Sequence, residues 1–184
     1  MRQHQFNLQK QRSNIAMIPR NYQHYAPSLV GPNGKRIIFV APLVELVEQQ
    51  AKVIHKYSTF EVGYFLGNMN VDDWTDDIWR KKLAEHQVLV MTAQILLNCL
   101  NEGFIKMDRI CLLVIDECHH ATEKHPMNMI MNHYKANCGT RIVGLTAILV
   151  KGNIGLHQID REVATLEQNL CSKIVQLNCI DELK

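Results

Sequence analysis

Short apolar runs alternate along this chain with longer stretches in which apolar residues recur every three or four positions. The short runs predict buried strands, and the longer stretches predict helices. The predicted strands span residues 36–41, 61–66, 87–91, 110–115, 141–145 and, last, 172–177. The predicted helices span residues 43–57, 72–86, 93–100, 126–135 and 160–169. Alternation of this kind predicts an α/β domain with a parallel sheet covered by helices on both faces.

The first 28 residues do not follow this pattern. Met1–Ser28 is rich in Gln, Asn, Arg and His and has no hydrophobic period. We therefore expect residues 1–28 to form a poorly ordered leader that is foreign to the domain, and residues 29–184 to form the domain itself.

Composition narrows the class of protein further. The 184 residues are 47% hydrophobic and 21% charged, which is typical of one globular domain. The apolar runs are too short to span a membrane, so we expect no membrane partner. The six cysteines include no Cys-x-x-Cys pair, which favours reduced, mostly buried thiols in a cytosolic or nuclear compartment, and we expect a cytoplasmic location. Because the net charge is only +2, any contact with nucleic acid must depend on local placement of charge.

Two adjacent carboxylates, Asp116 and Glu117, follow the buried run Leu112–Ile115. Open α/β sheets bind ligands outside the carboxyl ends of their strands. In nucleoside triphosphatases an Asp at this place holds the Mg²⁺ of Mg-ATP, and a neighbouring Glu can position and deprotonate the attacking water. The alternative interpretation is a pair of solvated loop acids, and the position directly after a buried strand favours function.

Histidines follow the carboxylates in the segment Cys118-His119-His120, and His125 lies five residues further on. A zinc site is the alternative here, but adjacent side chains point in different directions and no second Cys/His pair follows at a usual interval. We expect instead that His119 links the nucleotide site to the loop after the next strand.

Two further segments are candidates for nucleic-acid contact. Thr92 precedes a predicted helix that contains Gln94, and it is expected to be the N-cap; helix N-termini and hydroxyls also bind backbone phosphates. Pro42 precedes the amphipathic helix whose residues Leu43, Leu46 and Val47 we place in the core. On that helix Gln49 and Gln50 are expected to be exposed.

Two other features favour structural roles. Gly31–Lys35 is no P-loop, because its glycines are separated by two residues and Arg36 follows the lysine. Trp74 and Trp79 are candidates for base stacking, but their spacing favours packing.

Taken jointly, these segments resemble a known family. The string Asp-Glu-Cys-His at 116–119 resembles motif II of the DExD/H helicases, and Leu145-Thr146-Ala147 resembles their motif III, with Ile148 where a Ser is usual. The segments 33–36, 71–75, 87–94, 125–131, 143–147 and 151–153 are similar to the amino-terminal helicase lobe of the Dicer family. Within it, 71–75 and 116–120 look most like the insect enzymes that process viral and other long duplex RNA.

The resemblance implies a RecA-like first helicase lobe that binds ATP and Mg²⁺ at the carboxyl edge of the sheet. Asp116 would hold the Mg²⁺ and Glu117 would orient the water. His119, Thr146 and Ala147 would couple the nucleotide to RNA. The residues implied near the double-stranded RNA backbone are Pro42, Gln49, Gln50, Thr92, Gln94 and His125.

The same family has parts that are not found in these 184 residues. A P-loop strand with Gly-Ser-Gly-Lys-Thr, the second RecA-like lobe and the ribonuclease III domains have no counterpart. We therefore expect a fragment of a Dicer-like endoribonuclease of RNA silencing and antiviral defence, without catalytic competence alone. Two alternatives stay open: a non-enzymatic module that binds duplex RNA or Dicer's partner proteins, and a lobe of a retinoic-acid-inducible-gene-like receptor.

Overall fold

A computed structural model describes residues 34–146 and 156–174 of the chain. Five parallel strands form one sheet in the order β2-β3-β1-β4-β5. The strands are β1 (Arg36–Ala41), β2 (Val62–Phe65), β3 (Val88–Thr92), β4 (Ile110–Asp116) and β5 (Arg141–Leu145). The helices are α1 (Val44–Tyr57), α2 (Asp76–Glu85), α3 (Ala93–Asn101), α4 (Pro126–Ile130) and α5 (Leu156–Asn169). The predicted fold class, a RecA-like parallel sheet with helices on both faces, is confirmed.

Side chains of the strands alternate between two apolar layers, because successive residues of a strand point to opposite faces. One layer contains Ile38, Val40, Leu113 and Ile115 and packs against buried residues of α2, α3, α4 and α5. The other layer is built from the neighbouring strand positions and packs against α1. The central strands are therefore buried on both sides, which explains their continuous apolar runs.

An aromatic cluster fixes α2 to this framework. Trp79 is 1% exposed, and its ring lies 5.4 Å from Phe65 and 5.1 Å from Trp74. Phe104 stacks on the other side of Trp79, with the ring centroids 6.4 Å apart. Both tryptophans therefore pack against the core, as their spacing predicted.

The start of α1 differs from the prediction. The helix begins at Val44, and its buried face is formed by Val47, Gln50, Ala51 and Ile54. Leu43 precedes this helix and is 58% exposed, so its placement in the core was wrong. The error arose because Leu43 continues the apolar spacing of the helix, although it lies outside the helical turn that reaches the sheet.

The start of α2 and the end of α4 also differ from the prediction. Val71–Asp73 forms a 3₁₀ turn, and α2 begins only at Asp76. Helix α4 ends at Ile130 and is followed by a 3₁₀ turn over Met131–His133, so the predicted helix to residue 135 was too long.

The described part of the predicted last strand, residues 172–174, is not a strand. There the Ile174 N–H donates to Glu167 Oε1 at 2.8 Å, which bonds this segment to the end of α5 instead of to the sheet. The remaining residues of that prediction and the predicted leader lie outside the described residues. In residues 34–146 and 156–174, no helix is long and apolar enough to cross a bilayer.

Candidate functional site

The predicted site residues follow the carboxyl ends of four adjacent strands. Strand pairing aligns Ala41 with Thr92 and Asp116 with Leu145, so that β3, β1, β4 and β5 all end at one edge of the sheet. This edge is where open parallel sheets bind ligands. Pro42, Thr92, Glu117 and Thr146, each directly after or at the end of one of these strands, therefore lie at the same edge of the sheet.

Asp116 is a buried carboxylate with one unsatisfied oxygen. The residue is 2% exposed, and its Oδ1 accepts a hydrogen bond from the Glu117 N–H at 3.0 Å. Among the described residues, no hydrogen-bond donor reaches its buried Oδ2. Burial, with a smaller contribution from the charge of Glu117, raises the pKa of Asp116 to about 6, although the Glu117 N–H acts in the opposite direction.

An unsatisfied buried carboxylate oxygen suits a hard divalent cation. Buried acceptors without a partner are rare because they lose the hydrogen bonds of water, and a ligand is one reason for them to persist. Mg²⁺ prefers oxygen ligands and is often bound through one or two carboxylates together with substrate phosphates. The residues present at this edge therefore fit Mg²⁺, and Asp116 is the residue that could hold it.

Glu117 reverses the chain directly after β4. Its backbone is left-handed, with φ of 50° and ψ of 45°, a conformation that is uncommon for a residue with a side chain. The turn Cys118–His120 follows at once as a 3₁₀ helix. Backbone strain of this type often accompanies functional sites, since the surrounding structure must hold the residue in place.

His119 connects this turn to the end of β5. Its Nδ1 lies 2.7 Å from Thr146 Oγ1 and 3.3 Å from Glu117 Oε2. Because a carboxylate only accepts hydrogen bonds, the tautomer that carries a proton on Nδ1 donates toward both oxygens. The predicted contact between His119 and the loop after the next strand is present, whereas Ala147 lies outside the described residues.

Thr92 and Gln94 lie together at the start of α3. Thr92 is the N-cap, as predicted, but its hydroxyl makes no capping hydrogen bond. Gln94 is exposed and donates from Nε2 to Asn98 Oδ1 at 2.8 Å, and Asn98 donates in turn to Asp72 Oδ1 at 3.2 Å. Pro42 follows the neighbouring strand β1 and is half-buried. Pro42 and Thr92 therefore lie beside each other, at the ends of the paired strands β1 and β3.

The outcome for the other RNA candidates is mixed. His125 is exposed at the N-cap of α4, where its Nδ1 accepts a hydrogen bond from the Met127 N–H at 3.2 Å. Gln49 is half-buried, and Gln50 is only 4% exposed. The expectation that Gln50 is exposed was wrong, because this residue lies on the same face of α1 as Val47 and Ile54.

The remaining predictions concern metal and thiol chemistry. Within the described ranges, no group of three or more His, Cys, Asp or Glu side chains is arranged to hold a metal ion. The five cysteines found there are free, and burial raises the pKa of Cys99 and of Cys118 to about 12. These two thiols are therefore packing groups and not nucleophiles.

Sequence reasoning missed two features of the site. The left-handed Glu117 has no local signal, since a Glu at that position reads as an ordinary loop residue. Gly144 was treated only as part of a strand, although an added Cβ there would lie 2.7 Å from Cys118 Sγ. A glycine inside a strand often marks a close approach of another group, and that signal was available.

Comparison with known proteins decides the family. The family model of the DEAD/DEAH box helicases matches residues 13–152. This chain belongs to the DEAD/DEAH box helicases. The match begins inside the segment predicted as a leader and extends beyond Thr146, so it contains all the site residues named above.

Several curated relatives are Dicers. The chain is 38% identical over 163 residues to endoribonuclease Dicer homolog 1 of Arabidopsis thaliana, which is 85% of this chain and 8% of that protein. It is 42% identical over 145 residues to Dicer homolog 2 of the same plant, covering 74% of this chain and 10% of that protein. Endoribonuclease Dicer of Danio rerio is 35% identical over 144 residues, which cover 77% of this chain and 8% of that protein. The chain thus spans about a tenth of the length of such relatives.

A solved structure supports the fold independently. The helicase domain of Hef from Pyrococcus furiosus superimposes with a TM-score of 0.63 at 23% sequence identity, covering 80% of this chain and 30% of that one. At this identity the likeness concerns the fold alone. It confirms the RecA-like fold that the resemblance implied.

Proposed function

We propose that this chain is the first helicase lobe of a Dicer-like endoribonuclease that acts on double-stranded RNA in RNA silencing and antiviral defence. The observation that carries the proposal is the buried, unsatisfied Oδ2 of Asp116 beside Glu117 and the His119–Thr146 contact. The identity to Dicers of plants and fish favours this parent over an RNA receptor.

Asp116 and Glu117 have different tasks in this proposal. Asp116 is the ligand for Mg²⁺, which neutralises the charge of the phosphates of ATP when it is bound. In this proposal Glu117, whose side chain is 25% exposed, accepts a proton from the attacking water. Ala147 belongs to the same nucleotide-coupling segment as Thr146. Through its contact with Thr146, His119 couples the nucleotide site to RNA binding in this proposal.

The RNA surface in this proposal is formed by Pro42, Gln49, Thr92, Gln94 and His125. Their polar groups and the start of α3 suit contacts with phosphate and sugar, which position a duplex without reading its sequence. Gln50 is left out because of its burial. Long viral and cellular duplexes are the proposed substrates, as for insect Dicers, and the proposed location is the cytoplasm. Dicer's duplex-RNA-binding partner proteins are proposed partners.

Binding of duplex RNA to the 184-residue chain tests the RNA part. We expect weak binding that needs no ATP and that falls steeply as salt rises from about 50 to about 200 mM, because phosphate contacts release counterions. Fluorescence anisotropy with a labelled duplex RNA and a matched duplex DNA measures it. Absence of binding at the lower salt concentration would contradict the proposed surface.

An ATPase assay tests the expectation that the chain alone is inactive. We expect the chain alone not to turn over ATP, because phosphoryl transfer depends on positioning and charge neutralisation and its sequence contains no Gly-x-x-x-x-Gly-Lys-Ser/Thr run. Duplex-RNA-stimulated hydrolysis that is lost in Glu117→Gln and kept in Glu123→Gln would overturn this expectation. Glu123 is a matched control, since it is an exposed glutamate that also has a left-handed φ of 48°.

A further inference from the structure

Cys118 and Gly144 make a close contact beneath the nucleotide edge. After the left-handed turn at Glu117, the side chain of Cys118 folds back and is 3% exposed. A Cβ built on Gly144 would lie 2.7 Å from Cys118 Sγ and 3.1 Å from Cys118 Cβ, whereas ordinary van der Waals contact begins at 3.4 Å. Only a residue without a side chain lets β5 and the turn approach so closely.

A second contact lies next to the first. Cys118 is followed by His119, and Gly144 is followed two residues later by Thr146. The His119 Nδ1 to Thr146 Oγ1 distance is 2.7 Å, which is short for a hydrogen bond to nitrogen. The turn after β4 and the end of β5 are therefore joined twice, once by packing and once by a hydrogen bond.

We propose that the Gly144–Cys118 contact is a positioning pair that sets the hydrogen bond between His119 and Thr146. The role of that hydrogen bond in coupling nucleotide to RNA rests on the proposed function, but its dependence on the packing contact does not. Neither Gly144 nor Cys118 touches substrate in this account. They act only by fixing the distance between two other residues.

The distances give the size of the effect. Restoring ordinary contact after Gly144→Ala requires the Cys118 turn to retreat by at least about 0.7 Å, from 2.7 to 3.4 Å. A similar retreat of His119 would lengthen a 2.7 Å hydrogen bond to about 3.4 Å, at the limit of hydrogen-bond geometry. Leu170 Cδ1, at 3.0 Å, also meets the new Cβ, but it is the far end of a side chain that directly follows the helix α5.

The test changes the size of the side chains at positions 144 and 118 in the 184-residue chain. The His119 ring nitrogens and their protons are then observed by ¹⁵N NMR. In Gly144→Ala we expect loss of the protected Nδ1 proton, seen as roughly tenfold faster exchange with water. Removing the sulfur in the double variant Gly144→Ala/Cys118→Ala should recover most of the slow exchange. The Cys118 Cβ, 3.1 Å from the new Cβ, then has to retreat by about 0.3 Å instead of the about 0.7 Å that the sulfur requires. If Gly144 had only a general structural role, shortening the Cys118 side chain would not recover the slow exchange of the His119 proton.

Controls separate this result from general destabilisation. Gly67→Ala is the matched control, because a Cβ there meets nothing within 4 Å, and it should leave the His119 ring unchanged. If Gly144→Ala does not fold, Cys118→Val keeps the glycine and enlarges the same contact from the other side, and it should give the same loss. Unchanged exchange in Gly144→Ala or Cys118→Val, or no recovery in the double variant, would overturn the proposal. None of these outcomes depends on ATP or RNA binding.

Discussion

Replacing Asp116 by Asn should remove a pH-dependent cost to folding. The carboxylate is buried with one unsatisfied oxygen, and its pKa in the folded protein is about 6 against an ordinary value of 3.8. The shift of about two units corresponds to roughly 3 kcal/mol of folding free energy, as an order of magnitude. The Asn side chain has nearly the same shape, and its Oδ1 can still accept the Glu117 N–H.

Proton linkage gives the direction in which folding stability changes with pH. Because the folded state holds the Asp116 proton more tightly than the unfolded state does, raising the pH destabilises the folded state. The loss begins above about pH 4, is complete above about pH 6, and stays constant at neutral pH. Relative to Asp116→Asn, the wild-type chain should therefore lose roughly 3 kcal/mol between pH 4 and pH 7.

Urea denaturation of both proteins across this pH range measures the effect. Comparing the difference in unfolding free energy at each pH cancels the titration of all other groups. Asp108→Asn, at an exposed position before β4, is the control and should follow the wild-type profile. The reasoning is refuted if the difference between wild type and Asp116→Asn does not change with pH, or if the wild type becomes relatively more stable as the pH rises. Mg²⁺ at neutral pH should narrow the gap by binding to the wild type only.

Two further changes test the packing around the sheet. Gly63→Ala should lower the free energy of unfolding in urea by about 1–3 kcal/mol, because the new Cβ would lie 2.8 Å from the His86 ring. Gly67→Ala should be close to neutral, and equal losses of stability in the two variants would contradict this. Thr140→Val should cost about 1–3 kcal/mol by calorimetry, since its buried hydroxyl donates to the Met107 carbonyl at 2.6 Å, and an unchanged melting temperature would refute it.

The sheet was predictable because its physical cause is local. Strands β1 and β5 have the predicted bounds, since runs such as Ile37–Val40 are continuous and end in residues that do not extend a strand. The left-handed Gly103, with φ of 78°, lies in the turn after α3, and a glycine shortly after a helix is a common local signal for its end. Apolar runs and turn residues of this kind can be recognised within a single short segment of the sequence.

Burial on a helix was less predictable, because it depends on which face meets the sheet. Gln50 was assigned to the exposed surface by residue type, yet it shares a buried face with Val47. Residue type alone does not determine the direction of a side chain.

The site was predicted in its parts but not in its geometry. Asp116, Glu117, His119 and Thr146 could be named from motif and strand position. The unsatisfied oxygen and the left-handed turn are visible only in the folded structure, and the approach of Gly144 to Cys118 is a contact between residues that are distant in sequence. Such contacts follow from the tertiary structure and leave only indirect traces in the sequence.

Binding of ATP with Mn²⁺ in place of Mg²⁺ tests the central claim most directly. Mn²⁺ broadens the NMR signals of nearby nuclei even when binding is weak, so the measurement suits the isolated chain. The account predicts selective broadening of the amide signals of Glu117, His119 and Thr146 when ATP and Mn²⁺ are added together, and its loss in Asp116→Asn. Broadening elsewhere, or equal broadening in Asp116→Asn, would contradict a nucleotide–metal site at this edge of the sheet.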